Sequence, residues 1–315
     1  MSRRSANFLL LFAGIIWGMG FIAQQTAMEN IGPMLFMALR FFLATLVVAP
    51  FALWERSKDS TLTQSHPPLS STIKRASLIG LLFFSTMALQ QVGLLVTTVT
   101  SAGFLTGLYV IIVPVMVLII LRQNQHWVVW PGAAIAMTGI YMLGDGGFSG
   151  LNQGDYLVII GAFIGAGHIV LLGNTVQHFG RPIQTATIQF AVAGAISLIA
   201  HLAFIYIPIT AEIEPIASLD SIMLAAPEIL YAGIIAGGLA FTLMAIGQRY
   251  TSEADAAILL SSEALFAALF AAILLGERLS ISGYSGCLLI FVAILAVQLI
   301  PARDGNGELA AEVTE

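Results

Sequence analysis

The chain is a succession of long apolar runs separated by short polar segments. The runs cover residues 7–28, 33–54, 74–96, 102–121, 127–143, 155–177, 183–205, 227–250, 254–275 and 282–300. A helix needs about 20 apolar residues to cross the hydrocarbon core of a bilayer, and most of these runs reach that length. Because the runs are continuous rather than alternating, they favour helices over the strands of a membrane barrel. The pattern predicts an all-α integral membrane protein with ten transmembrane helices.

The composition agrees with a membrane protein and disfavours several other classes. Of the 315 residues, 58% are hydrophobic and 9% are charged, and the mean hydropathy is +0.93. Soluble domains carry about 25% charged residues, so a soluble enzyme, a nucleic-acid-binding protein and a disordered chain are all disfavoured. A single cysteine, Cys287, excludes a disulfide framework within one chain. Ten spans would leave no room for a sizeable soluble domain.

The basic residues predict the orientation of the chain. With the N-terminus in the cytoplasm, ten of the 12 lysine and arginine residues fall on the cytoplasmic side, whereas Arg278 falls outside and Arg40 lies within a span. Cytoplasmic loops of membrane proteins are enriched in these residues. We therefore expect a cell (plasma or inner) membrane protein with both termini in the cytoplasm and with the segments 144–150 and 212–220 outside. The first apolar run is longer than that of a typical signal peptide and is interpreted as an uncleaved helix.

The chain contains a weak internal repeat. At an offset of 149 residues Gly18 pairs with Gly167, and at an offset of 154 residues Gly93 pairs with Gly247. The order of spans and loops is the same in the two halves, which we place at 7–143 and 155–300, followed by a cytoplasmic tail at 301–315. Because each half has five spans, an odd number, we expect two inverted five-helix repeats. Inverted repeats are typical of transporters, whose substrate site lies near the midplane.

Two motifs in the second half resemble those of a known family. The segments Leu-Ser-Ser-Glu-Ala-Leu-Phe at 260–266 and Leu-Gly-Glu-Arg-Leu-Ser at 275–280 are similar to signatures of the drug/metabolite transporter superfamily, and more narrowly of EamA-like transporters with two EamA repeats. Trp17, Arg40 and Pro114 are further matches, whereas Ala264 stands where the family often has proline. The resemblance implies transport of small metabolites, such as amino acids, nucleotide sugars or drugs, and does not indicate which one.

Three ionisable residues inside the predicted spans are candidate functional groups, because a charge in the membrane is costly. Glu263 lies about 14 Å into the ninth span, near the midplane, and Arg40 lies about 10 Å below the outer surface. His168 lies in the inner half of the sixth span. Glu263 could carry a coupling proton or bind a substrate ammonium group. Each of the three could instead be a packing residue, and the long Arg40 side chain could reach the outer interface.

Further residues could line a substrate pocket. Trp17, Tyr109, Gln90 and Gln91 have suitable aromatic or amide side chains, although such groups also pack against or hydrogen-bond neighbouring helices. Histidines and carboxylates are too sparse for a convincing metal cluster, so we expect no metal and no other cofactor. A Gly-x-Ser-Gly match at 147–150, similar to rhomboid proteases, falls in an external turn without an evident buried base, and no Walker loop occurs.

Glycines four residues apart predict close contacts between helices. Such pairs occur in the first, fourth, sixth and eighth spans, which we therefore place centrally. We expect Gly18, Gly103 and Gly107 at such contacts. Gly167, as the repeat equivalent of Gly18, is expected beside the interface between the repeats.

Together these features predict a secondary transporter that moves small metabolites, such as amino acids or related compounds, by alternating access about a midplane cavity. From the resemblance we expect export, driven by the proton gradient or the substrate gradient. One alternative is an intramembrane enzyme, for which no cluster of acid, base and nucleophile is found, and another is a non-transporting receptor or scaffold. The expected partners are a small-molecule substrate and the lipid bilayer, with a homodimer as a further option and no nucleic acid.

Overall fold

A computed structural model describes residues 1–59, 68–143, 151–207, 212–276, 278 and 280–300. All regular structure in this part of the chain is helical, and no strand occurs in it. The glycine-rich segment 144–150, with its Gly-x-Ser-Gly match, and the tail 301–315 lie outside the described residues. The prediction of an all-helical protein is therefore confirmed for the described residues.

Ten long helical segments follow the predicted spans to within a few residues at most ends. They are, in chain order, α1 Arg3–Ala27, α2 Pro33–Asp59, α3 Leu69–Gly93, α4 Val99–Leu121, α5 Val129–Leu143, α6 Gln153–Phe179, α7 Pro182–Phe204, α8 Ala226–Gln248, α9 Glu253–Leu275 and α10 Ile281–Leu299. A short helix, Leu219–Leu224, precedes α8. Among the described residues, eight of the segments are long and apolar enough to cross a membrane, while α5 and α10 have shorter apolar parts, Val129–Met142 and Ile281–Ala296.

Two of the segments, α4 and α9, share one construction. The α4 segment consists of Val99–Thr106, a turn at Gly107 and Leu108, Tyr109–Met116 and a π-helical turn, Val117–Leu121. The α9 segment consists of Glu253–Leu260, an interruption at Ser261, Ser262–Phe270 and a π-helical turn, Ala271–Leu275. Gly107 and Ser261, which mark the two interruptions, are 154 residues apart. This distance equals the second of the two repeat offsets.

The helices pack around a central cavity. The α2 segment packs against α7, α3 packs against α6 and α7, and α1 packs against α8 and α9. The α5 and α10 segments pack mainly against each other at one side. Three phenylalanines are among the largest fully buried side chains of the main hydrophobic core, namely Phe41, Phe83 and Phe190. The cavity is therefore walled by helices from both halves of the chain.

The α2 and α7 helices are capped reciprocally. Each helix begins at a proline, and its first turn is capped by a carboxylate. The carboxylate that caps α2 comes from the segment after α7, and the carboxylate that caps α7 comes from the C-terminal part of α2. Glu214 accepts hydrogen bonds from the backbone N–H groups of Met34 at 2.8 Å and Leu35 at 2.9 Å. Glu55 accepts from the backbone N–H of Gln184 at 2.8 Å. These bonds satisfy amide donors that have no partner within a helix, at opposite ends of the α2–α7 pair.

Several glycines lie at close contacts between helices. A Cβ atom at Gly18 would lie 2.7 Å from the backbone N of Ala267 in α9, and one at Gly103 would lie 3.3 Å from the Ala267 Cβ. A Cβ atom at Gly107 would lie 2.9 Å from the Cδ1 of Ile140. These three glycines therefore lie where helices approach closely.

Gly167 makes no such close contact, because a Cβ atom there would meet nothing within 4 Å. The contact face of α6 is instead formed by Gly161 and Gly165, both of which lie against Thr86 of α3. Residues two positions apart in an α-helix point to nearly opposite sides, so Gly167 faces away from the contact that Gly165 makes.

Candidate functional site

The central cavity is the candidate site, and side chains from seven helices line it. Its lining residues are Trp17, Gly20, Phe21, Gln24, Arg40, Phe41, Phe83, Thr86, Met87, Gln90, Thr106, Tyr109, Ala162, Gly165, His168, Ile169, Ala232, Ala236, Gly237, Phe241, Met244, Leu260 and Glu263. These residues come from α1, α2, α3, α4, α6, α8 and α9. The four spans expected to be central all contribute. A few polar groups in a mostly apolar wall are typical of a small-molecule site.

Glu263 reaches the cavity from the interruption in α9. It lies in the first turn of the helix that restarts at Ser262, and its side chain is buried. The Tyr109 hydroxyl lies beside the Glu263 carboxyl, close enough for the two groups to interact. That hydroxyl has no well-formed hydrogen-bond partner among the described residues. The pair therefore has unused hydrogen-bonding capacity on the cavity wall.

Arg40 reaches the cavity from α2 and is 5% exposed. Its guanidinium carbon lies 4.6 Å from the ring centre of Phe41 and 5.1 Å from that of Phe36. The sequence identified Arg40 as the nearest cation to Glu263 by depth in the membrane. Both residues do line the same cavity, but no ion pair joins them in the described part of the chain. Depth alone gave no information about their lateral separation.

His168 is held in place by a neighbouring helix. Its Nε2 lies 3.0 Å from the Oε1 of Gln189 in α7, and its ring centre lies 5.3 Å from that of Phe83. The imidazole therefore has a polar partner inside the protein and an aromatic neighbour. This arrangement fixes the ring at the wall of the cavity.

The remaining predicted pocket residues separate into two groups. Trp17 lines the cavity and donates a hydrogen bond from its indole nitrogen to the Ala236 carbonyl at 3.0 Å. Gln90 also lines it and donates to the Thr106 hydroxyl at 2.9 Å. Gln91 is fully buried away from the cavity, where its amide nitrogen contacts the sulfur of Met28. Adjacent residues on a helix point about 100° apart, which explains why only one of the two glutamines lines the cavity.

An aromatic cluster in the cavity wall escaped the sequence analysis. The ring centre of Phe83 lies 4.9 Å from that of Phe41 and 4.6 Å from that of Phe241. The Phe241 ring also lies 4.3 Å from Trp17. Phenylalanines occur throughout the apolar runs, so nothing in the sequence distinguishes these from lipid-facing ones. Their grouping shows that most of the wall suits an apolar or aromatic molecule.

No metal centre is found within the described residues, since no group of three or more histidine, cysteine, aspartate or glutamate side chains occurs there. Polar side-chain contacts join the ends of neighbouring helices. Thr97 donates a hydrogen bond to Asp155 at 2.5 Å, between the α3–α4 connection and the start of α6. Thr251 donates to Asn7 at 3.0 Å, between the α8–α9 connection and α1.

Known proteins of similar sequence are named as transporters. The chain is 29% identical to an "uncharacterized transporter" from Archaeoglobus fulgidus over 95% of its own length and 87% of that protein. It is 22% identical to the uncharacterized transporter YwfM of Bacillus subtilis over 96% and 97% of the two chains. A third relative, 28% identical over 60% of this chain and 59% of its own, is the uncharacterized inner membrane transporter YedA of Escherichia coli K12.

A solved crystal structure shares the fold, with a TM-score of 0.71 and 19% identity over 95% of this chain and 98% of the other. Two segments of the chain, residues 4–144 and 152–299, each match the EamA-like transporter family. The helices of the structure run through both segments, and helices from both line the cavity. This multi-pass membrane protein therefore belongs to the EamA-like transporter family, with two EamA repeats.

Proposed function

We propose that this protein is a secondary transporter of a small metabolite, such as an amino acid or a related compound. The observation that carries the proposal is the central cavity, which is walled by helices of both EamA repeats and has buried polar groups among its lining residues. Alternating access uses two half-structures that move about a shared site. A cavity between the repeats is where such a site would lie.

We propose further that all ten segments span the membrane and that the two repeats are inverted. The matching interruptions at Gly107 and Ser261 support this arrangement, because equivalent helices of an inverted pair would carry them. The reciprocal caps support it as well, since Glu214 caps α2 at one end of the bundle and Glu55 caps α7 at the other. The basic residues support cytoplasmic termini in a cell membrane.

In this topology the hydrogen bond between Thr97 and Asp155 would lie on the outer side of the bundle, where it could close the cavity. Contacts at the inner end join Thr251 to Asn7 and Arg3 to Asp255, the latter an ion pair with an N–O distance of 2.8 Å. Alternating access would require these two sets of contacts to open in turn. The inner set includes a charged pair, which is the stronger kind of hydrogen bond.

Glu263 is the proposed coupling residue. Its carboxyl could take up and release a proton during the cycle, which would link transport to the proton gradient and drive export. Alternatively its charged form could bind the ammonium group of a substrate. The buried position of Glu263 on the cavity wall, beside a Tyr109 hydroxyl that has no well-formed hydrogen-bond partner among the described residues, supports a functional role in either case.

The proposal is tested by counterflow in proteoliposomes loaded with a mixture of amino acids and diluted into each labelled amino acid. Flux above that of empty liposomes supports transport. Ala236→Trp should block it, because a large side chain at this lining position fills the cavity. Ala134→Trp, on an exposed position of α5, is the matched control and should leave flux unchanged. Absence of flux for every compound would contradict the amino-acid proposal.

A further inference from the structure

We propose that Arg40 binds the carboxylate group of the transported molecule, and that this molecule is a small carboxylic acid with an apolar or aromatic body. The inference rests on the proposed transport function and specifies the substrate class for the same cavity. α-Amino acids with apolar side chains and their counterparts that lack the amino group both belong to this class.

The first observation is that Arg40 is a buried cation without a counter-ion. Its side chain lines the cavity and is about nineteen-twentieths buried, yet no hydrogen bond or ion pair joins it to any described residue. Guanidinium groups keep their charge in proteins. Because a buried charge is stable only when it is paired and hydrogen-bonded, the absent partner is expected to be an anion that enters the cavity.

The second observation is which donors are free. The Nε and Nη2 atoms of Arg40 are both buried and both lack a hydrogen-bond partner. These two N–H groups lie along one edge of the planar guanidinium. A carboxylate accepts two parallel hydrogen bonds from such an edge, an arrangement that is both strong and specific in geometry. The free edge therefore has the shape of a carboxylate site.

The aromatic neighbours of Arg40 stabilise its charge but do not satisfy its hydrogen-bond donors. The rings of Phe41 and Phe36 lie 4.6 Å and 5.1 Å from the guanidinium carbon. Contacts with ring faces offset part of the cost of burying the cation. They leave the N–H groups of the edge without acceptors, and they restrict the orientation of the guanidinium plane. Arg40 is thus held ready for a ligand rather than neutralised.

The other ionisable groups that line the cavity do not replace the missing anion. Glu263 forms no ion pair with Arg40, and the polar neighbour found beside it is Tyr109. His168 bonds to Gln189. Among the described residues that line the cavity, Arg40 is therefore a cationic group whose Nε and Nη2 donors have no acceptor.

The rest of the wall selects the body of the molecule. Trp17, Phe83, Phe241, Ile169 and Met244 present apolar or aromatic surface to the cavity. Burial of an apolar group against such a surface is favourable, whereas a charged group on the body of the molecule would find few partners among these five side chains. The wall thus favours a monocarboxylate with an aromatic or branched aliphatic body.

The test uses the purified full-length protein and three probes that differ in their charged groups. Phenylalanine carries a carboxylate and an ammonium group, 3-phenylpropionate carries only the carboxylate, and phenethylamine carries only the ammonium group. Binding is measured by calorimetry for the wild type, Arg40→Gln and Arg40→Lys. Arg249→Gln is the matched control, because Arg249 is an exposed arginine that also lies over an aromatic ring, that of Tyr250.

We expect Arg40→Gln to weaken the binding of phenylalanine and 3-phenylpropionate by more than about tenfold, because a bidentate charged contact is lost. The affinity of Arg40→Lys for these two probes should lie between that of Arg40→Gln and that of the wild type, since lysine keeps the charge but lacks the paired donors. Arg249→Gln should bind as the wild type does. Binding of 3-phenylpropionate but not phenylalanine would place the substrate among acids without an amino group.

A second readout separates ligand binding from a merely structural role. Without ligand, Arg40→Gln should melt at a higher temperature than the wild type, because an uncompensated buried charge is removed. A packing role predicts a lower melting temperature. The inference is overturned if the wild type binds neither carboxylate probe, or if Arg40→Gln binds both as tightly as the wild type. If the wild type shows counterflow and Arg40→Gln shows the same counterflow and the same binding, the transport proposal stands and only the role of Arg40 fails.

Discussion

Tyr109 and Glu263 lie 154 residues apart in the chain, and their side chains lie side by side on the wall of the central cavity. Each residue follows directly or closely on the interruption of its helix, at Leu108 in α4 and at Ser261 in α9. The spacing equals the offset at which the second parts of the two repeats align. Two equivalent positions thus provide a phenol and a carboxyl to one site, which is how an internal repeat can produce an asymmetric binding surface.

The first prediction concerns the Glu263 carboxyl. Glu263→Gln keeps the size and hydrogen bonding of the side chain but removes its titration. If Glu263 couples transport to protons, the variant loses proton-driven accumulation, retains exchange, and shows a rate that is nearly independent of pH between about pH 5.5 and 8. If Glu263 instead binds an ammonium group, the variant loses affinity for cationic and zwitterionic substrates in both modes.

Counterflow and gradient-driven uptake distinguish these outcomes. Glu29→Gln is the control, because Glu29 is an exposed carboxylate outside the cavity. Normal transport by Glu263→Gln across the whole pH range would show that Glu263 only packs between helices.

The second prediction compares two glycines that the repeat aligns but the structure distinguishes. Gly18→Ala should destabilise the protein by about 1–3 kcal/mol, because the added Cβ would press on the backbone of Ala267. Gly167→Ala should have little effect, since its Cβ would enter open space. Thermal unfolding in detergent measures both. An equal loss of stability in the two variants would contradict the contact between α1 and α9.

The sequence predicted the helices well and their rotation poorly. Continuous apolar runs indicate where helices lie. The predicted end of α2 at Trp54 is too early, because the last turn of this helix is polar and the apolar run stops before the helix does. The face that a helix presents cannot be read when nearly all its faces are apolar. For this reason Gln90 and Gln91 were equally good candidates, and Gly167 was placed at a contact that Gly165 makes.

The sequence predicted the ionisable residues of the site but not its aromatic ones. Glu263, Arg40 and His168 stand out because charged groups are rare in apolar runs, and all three do line the cavity. The aromatic wall around Phe83 and Phe241 did not stand out, because aromatic residues are common in such runs. The unpaired edge of the Arg40 guanidinium depends on lateral positions that depth in the membrane does not determine.

The third prediction concerns the reciprocal caps of α2 and α7. Glu214→Ala should lower the free energy of unfolding by about 1–3 kcal/mol, because two backbone N–H groups lose their acceptor in a buried site. Glu55→Ala should cost less, since its bonds to Ile183 and Gln184 are less regular, at 3.4 Å and 2.8 Å. Chemical denaturation checks the order, and a larger effect of Glu55→Ala would contradict it.

The fourth prediction concerns the orientation in the membrane. In a Cys287→Ser background, single cysteines are introduced at Ser57, near the end of α2, and at Ser218, before the short helix Leu219–Leu224. Both positions are exposed. A membrane-impermeant thiol reagent applied to intact cells should label only Ser218→Cys, because the basic residues place Ser57 in the cytoplasm. Labelling of Ser57→Cys alone would invert the topology.

Alternating access is tested most directly by locking each end of the cavity in turn. In the Cys287→Ser background, one cysteine pair replaces Thr97 and Asp155, and another replaces Thr251 and Asn7, since both pairs are in contact. Counterflow is measured in proteoliposomes after oxidation and again after reduction. We predict that either disulfide alone stops the flux and that reduction restores it. Full flux with either disulfide completely formed would contradict alternating access about this cavity.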